Sequence, residues 1–122
     1  MRYMYLVKSC QSGPPPKRLF EELDKMAQKA VKSGAMIDSG GLLPLPMGAH
    51  VKLEGGKVSV IDGPFAESKE VVGGYAIFEF KTREEAIQSA IDFMNVHKEF
   101  GEGWEGTCEM RPMMTSPHAP TR

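Results

Sequence analysis

Two stretches of this 122-residue chain put their apolar residues on one side of a helix, and each stands between extended segments. In the first, Leu19, Leu23, Met26, Ala27 and Ala30 follow the i, i+4, i+7, i+8, i+11 spacing that stacks into one stripe. That spacing predicts a helix over residues 17–33, with Gly34 where a left-handed C-terminal cap belongs. In the second, Thr82 and Glu85 fit the S/T-x-x-E capping pattern, and Ala86, Ile87, Ala90, Ile91 and Met94 carry the stripe to about His97. A one-sided helix must bury its stripe against another layer, and the flanking strands can supply it. The alternation confines the chain to a sheet crossed by two helices.

The strands can be read one by one. Residues 2–8 are a run of Tyr, Met, Leu and Val suited to a central strand covered on both faces. Gly13 and Pro14, Pro15 and Pro16 then interrupt regular structure. Residues 35–43 form a less regular extended segment, broken by Gly40 and Gly41, in which a bend or bulge is expected. The run VKLEGGKVSV flanks Gly55 and Gly56 with alternating residues, the pattern of a two-residue type I′ hairpin. In that register Leu53 faces Val58, Val51 faces Val60, and Glu54 opposes Lys57. Residues 73–80 and 107–113 supply the last two strands, and TSPHAPTR reads as an unstructured tail. One domain over 1–114 and a flexible tail over 115–122 are therefore expected.

The order is β, α, β, an extra hairpin, β, α, β. With right-handed crossovers this is an α+β, ferredoxin-like βαββαβ arrangement, helices on one face of an antiparallel sheet. The other face is left open, and apolar residues there call for a second copy packed sheet to sheet. A homodimer is the expected assembly.

Composition limits the partners. Hydrophobic residues at 41% and charged residues at 25% suit a globular core, and a net charge of -1 without a basic run argues against direct nucleic-acid binding. The apolar start before Lys8 is too short for a signal peptide or a membrane span, so a cytoplasmic protein with no membrane partner is expected. Cys10 and Cys108 lack the C-x-x-C spacing of metal or redox motifs, and no cofactor or metal is expected. In a ferredoxin-like sheet the strands carrying them are antiparallel neighbours, which makes a reversible disulfide geometrically conceivable, although a reducing cytoplasm opposes it. The nine methionines read as adaptable packing.

Residues 62–70, DGPFAESKE, followed by VVGGY, strongly resemble the DGPF motif of the YCII-related family. MRYMYLV resembles the family's opening strand, the Gly-Gly hairpin precedes the motif as it does there, and EMRPMM is similar to its closing strand. The Lys98 to Gly106 connection is longer than usual for the family. The resemblance implies a ferredoxin-like subunit in a dimeric α/β barrel. It implies no particular reaction: some members are encoded beside extracytoplasmic-function sigma factors, suggesting a transcription-related neighbour, and the wider superfamily includes isomerases, dehydrochlorinases and monooxygenases. Family members proposed to be catalytic carry a His shortly after the first strand, paired with an Asp. This chain has His50, His97 and His118, and none stands at that position.

Candidate site residues gather around the motif. Asp62, Gly63, Pro64 and Phe65 have a structural explanation as a turn in which Asp caps the backbone and Phe anchors the loop. The functional reading places Asp62, Phe65, Glu67, Lys69, Glu70 and Tyr75 around a cleft between helices and sheet that holds a small polar ligand. Glu67, Lys69 and Glu70 equally suit a solvated, ion-paired turn. Three functions follow: a ligand-binding or regulatory dimer without turnover, favoured by the missing histidine; a cofactor-independent lyase or isomerase using Asp62 as acid or base, in a pocket walled by Tyr75 and Phe65; and a structural interaction module. His50 and His97 carry the ring preferred for acid–base work, but neither has partner spacing in the sequence.

Overall fold

The computed structural model describes residues 1–10, 14–62 and 71–114. The elements are β1 (Arg2–Ser9), α1 (Lys17–Lys32), β2 (Met36–Gly41), β3 (Ala49–Glu54), β4 (Lys57–Asp62), β5 (Val71–Glu79), α2 (Arg83–Phe100) and β6 (Thr107–Pro112), with a short 3₁₀ turn at Leu45–Met47. Four strands form one antiparallel sheet in the order β2-β5-β1-β6, and β3 and β4 form a separate ribbon. The chain is thus an α+β protein with two helices and an antiparallel sheet, an arrangement compatible with a ferredoxin-like fold.

The helices lie on the sheet face that carries Tyr3 and Tyr5 of β1. Tyr5 is 3% exposed, stacks on Phe78 at 5.0 Å between ring centroids, and donates its hydroxyl to Ala86 O of α2 at 2.5 Å. Phe78 in turn stacks on Phe80 at 5.5 Å. Ala30, Met36, Ala76, Ala90, Cys108 and Met110 complete this core, so the stripes read from the sequence do face the sheet. Burial pushes the Tyr5 phenol up to about 12, against a hydrogen-bond contribution from Ser89 that pulls it down.

Each helix has one end where the sequence put it. Thr82 Oγ1 accepts from the Glu85 N–H at 3.1 Å, which satisfies one orphan donor of the first turn. Gly34, at φ +80°, follows α1 in the left-handed region. The second helix continues three residues beyond His97 because Phe100 has a tertiary partner: the Arg18 guanidinium of α1 sits 4.7 Å above its ring. Its end comes at Gly101, whose N–H returns to His97 O.

The hairpin has the predicted register, with Leu53 opposite Val58, Val51 opposite Val60 and Glu54 opposite Lys57. Gly55 and Gly56, at φ +55° and +76°, provide the two positive angles a type I′ turn requires. The expected irregularity of the second strand is a register shift between Met36 and Asp38. The first strand is central in the sheet as expected, but its two faces differ: the helices cover the side of Tyr3 and Tyr5 alone. No helix among the described residues is long and apolar enough to cross a membrane.

Candidate functional site

Strand alternation sorts the sheet into two faces. Tyr5 pairs with Ala76 and Tyr3 with Phe78 on the helix side, so Met4, Leu6, Tyr75 and Ile77 project from the opposite face. Asp38 is opposite Ile77 and Gly40 opposite Tyr75, which brings β2 onto that open face. Leu6 is opposite Glu109 and Met4 opposite Arg111, which brings β6 onto it as well.

The centre of this face is apolar, built by Met4, Leu6 and Ile77, and each side carries a polar pair. On one side the Tyr75 hydroxyl donates to Asp38 Oδ2 at 3.0 Å, while Asp38 Oδ1 accepts from the Ser39 N–H at 2.9 Å. Both carboxylate oxygens are thus occupied. The hydrogen bond to Asp38, reinforced by its charge, holds the Tyr75 phenol above its ordinary pKa, so it stays protonated with its oxygen lone pairs open to a donor. Gly40 makes room for this ring, since a Cβ there would stand 2.9 Å from Tyr75 Cε1. On the other side Lys8 Nζ lies 2.6 Å from Glu109 Oε1, and that hydrogen bond lowers the Glu109 pKa.

The residues named from the sequence are distributed as follows. Tyr75 lies on the open face, turned away from the helices. Asp62 is the last residue of β4, opposite Ala49. Phe65, Glu67, Lys69 and Glu70 lie outside the described residues. His50 stands on β3 opposite Ile61, and His97 is buried on α2. Cys10 and Cys108 are both free: β1 and β6 are neighbours as expected, but Cys108 pairs with Val7, so the register offsets the two thiols by three residues. Among the described residues no cluster of three His, Cys, Asp or Glu side chains could hold a metal ion.

Asp38 was not singled out in the sequence. Its partnership with Tyr75 spans 37 positions and depends on the register of β2 against β5, which a bulge shifts by one residue. The one local signal was Gly40, a small residue inside a strand, where an aromatic neighbour can lie over the bare backbone.

Residues 1–102 match the model of the YCII-related domain. The chain is also 29% identical over 107 residues to "Uncharacterized protein R00369" of Rhizobium meliloti (strain 1021), an alignment covering 88% of this chain and 82% of that protein.

Proposed function

This chain belongs to the YCII-related family, and from that premise we propose that it is a homodimer that binds a small polar ligand without turning it over. In this reading the open sheet faces of two copies close on each other as a dimeric α/β barrel. The observation that carries it is the apolar strip of Met4, Leu6 and Ile77 across the two central strands, on the face opposite both helices, with a satisfied polar pair at either side. An uncovered strip of this kind favours association, and the flanking pairs set its register.

The ligand would lie beside Tyr75, whose phenol oxygen is positioned to accept a hydrogen bond. The DGPF segment, with Asp62, Phe65, Glu67, Lys69 and Glu70, supplies the remaining contacts. Binding without turnover is favoured because the stretch after β1 holds no histidine to move a proton.

An NMR screen of small polar compounds against the wild-type protein tests this reading. The expected hits shift Tyr75 and residues 62–70 together, bind several-fold more weakly to Tyr75→Phe and Asp62→Asn, and are recovered unchanged. Hits that map only to other surfaces, or that are chemically converted, would contradict it.

A further inference from the structure

The far end of α2 holds a second arrangement that the open sheet face does not involve. His97 is 5% exposed, its ring set between Phe93 at 4.6 Å and Trp104 at 4.4 Å. Its Nδ1 lies 2.9 Å from Phe93 O. A carbonyl oxygen can only accept, so the hydrogen belongs to Nδ1, and in the neutral ring Nε2 is a bare lone pair. Burial lowers the His97 pKa, more than the backbone hydrogen bond raises it, and the neutral ring is therefore the form present at neutral pH.

Among the described residues none bonds to Nε2, and none of their fully buried side-chain nitrogens or oxygens lacks a partner. This acceptor therefore reaches solvent. His97 also lines a hollow of about 520 Å³ together with Met94, Lys98, Trp104, Glu105 and Gly106. The glycines shape the wall: a Cβ at Gly106 would run into Lys8 O and the Trp104 ring, and one at Gly101 into His97 O and Trp104 Cβ. Trp104 to Gly106 lie beyond residues 1–102, the part of the chain that matches the family model.

We propose that this hollow is a binding site for a small, neutral, planar molecule carrying an acidic O–H or N–H, which donates to His97 Nε2 and lies against the Trp104 indole. The chemistry of the walls selects that class. An anion would meet the lone pair of a neutral imidazole head-on, and with Lys98 and Glu105 both at the hollow neither sign of charge gains a net partner there. A neutral donor satisfies the acceptor, and a flat ring uses the indole face and the Met94 thioether, which give little hold to an aliphatic alcohol of similar size.

Phenol and its O-methyl ether, anisole, separate the hydrogen bond from the ring contact, because only phenol can donate. Their binding to the full chain is read by two signals: fluorescence of Trp104, the sole tryptophan, and the nitrogen resonances of His97. Expected are a saturable change with phenol, movement of Nε2 while Nδ1 keeps its proton, and anisole weaker by roughly five- to tenfold, the worth of one net hydrogen bond. In His97→Phe, which keeps an aromatic ring in the stack and removes the acceptor, the preference for phenol should vanish. If that variant fails to fold, the wild-type comparison decides alone. Equal binding of phenol and anisole, a response that never saturates, or a proton found on Nε2 instead of Nδ1 would each overturn the proposal.

Discussion

Removing one oxygen from the core measures how the sheet is tied to α2. Tyr5→Phe keeps the ring that stacks on Phe78 and deletes the hydroxyl that reaches Ala86 O. Because the ring stays, the cost of about 3 to 5 kcal/mol for emptying an aromatic site does not apply. Ala86 lies inside α2, so its carbonyl keeps its place in the helix ladder and is not orphaned. What remains is one net hydrogen bond and a small void, about 1 to 1.5 kcal/mol at neutral pH. The same group gives an alkaline signature. Its pKa is raised from 10.0 to about 12 in the folded state, so its stabilisation is complete below pH 10 and is lost as pH rises through that window. Two units at about 1.4 kcal/mol each set an upper bound of about 2.8 kcal/mol on that loss. Tyr75 and Cys108 are also raised, so the useful quantity is the difference between wild type and variant. Urea unfolding of both proteins at one concentration, from pH 7 to pH 11, should show a gap near 1 kcal/mol that closes as pH climbs above 10. A gap above about 3 kcal/mol at pH 7, or one that does not change with pH, would refute this account of the core.

Other substitutions test other joints. Thr82→Ala removes the acceptor for the Glu85 N–H and should cost about 1 kcal/mol in thermal or urea unfolding. Gly55→Val puts a β-branched residue at φ +55° and should lower hairpin order, seen as faster amide exchange over residues 49–62, at a cost of about 1 to 3 kcal/mol. Gly40→Ala should push the Tyr75 ring off Asp38, and its effect should shrink when Tyr75→Ala is already present; additive effects would show that the two do not touch. The folded pKa of His97 is depressed, so its stabilisation is present above the unfolded value near 6.5 and fades as pH falls below it. Replacing it with Phe should remove up to about 1.4 kcal/mol per pH unit from the acid slope of stability.

Much of the fold was legible because it is encoded locally. The helical stripes, Thr82 before α2, Gly34 after α1 and the Gly55–Gly56 turn each need only a few neighbouring residues, and each is where the sequence put it. Element ends were less legible: α2 outran its pattern because Phe100 meets Arg18 of another helix. The site was legible only in part. Tyr75 could be named from its place after the motif, but not Asp38 as its partner, nor the face on which both stand. His97 looked like a lone histidine because its companions are Phe93 on its own helix and Trp104 across a Gly-rich turn. Neither residue type advertises a site by spacing. The 3₁₀ turn at Leu45–Met47 was likewise hidden behind Pro44 and Pro46, which signal a break without saying what fills it.

The hairpin adds weight to the idea of a second copy. Val51, Leu53, Val58 and Val60 share one of its faces and are between 65% and 71% exposed. A two-stranded ribbon is marginal in water by itself, and this one presents its apolar side outward.

Sedimentation equilibrium of the wild type beside Leu6→Asp tests the central claim most directly, since it sets a buried charge against the apolar strip of β1. The account predicts two chains per particle for the wild type at micromolar concentration and one for the variant, with the circular dichroism of the folded subunit retained. A wild-type particle of one chain, or a variant as fully paired as its parent, would contradict it.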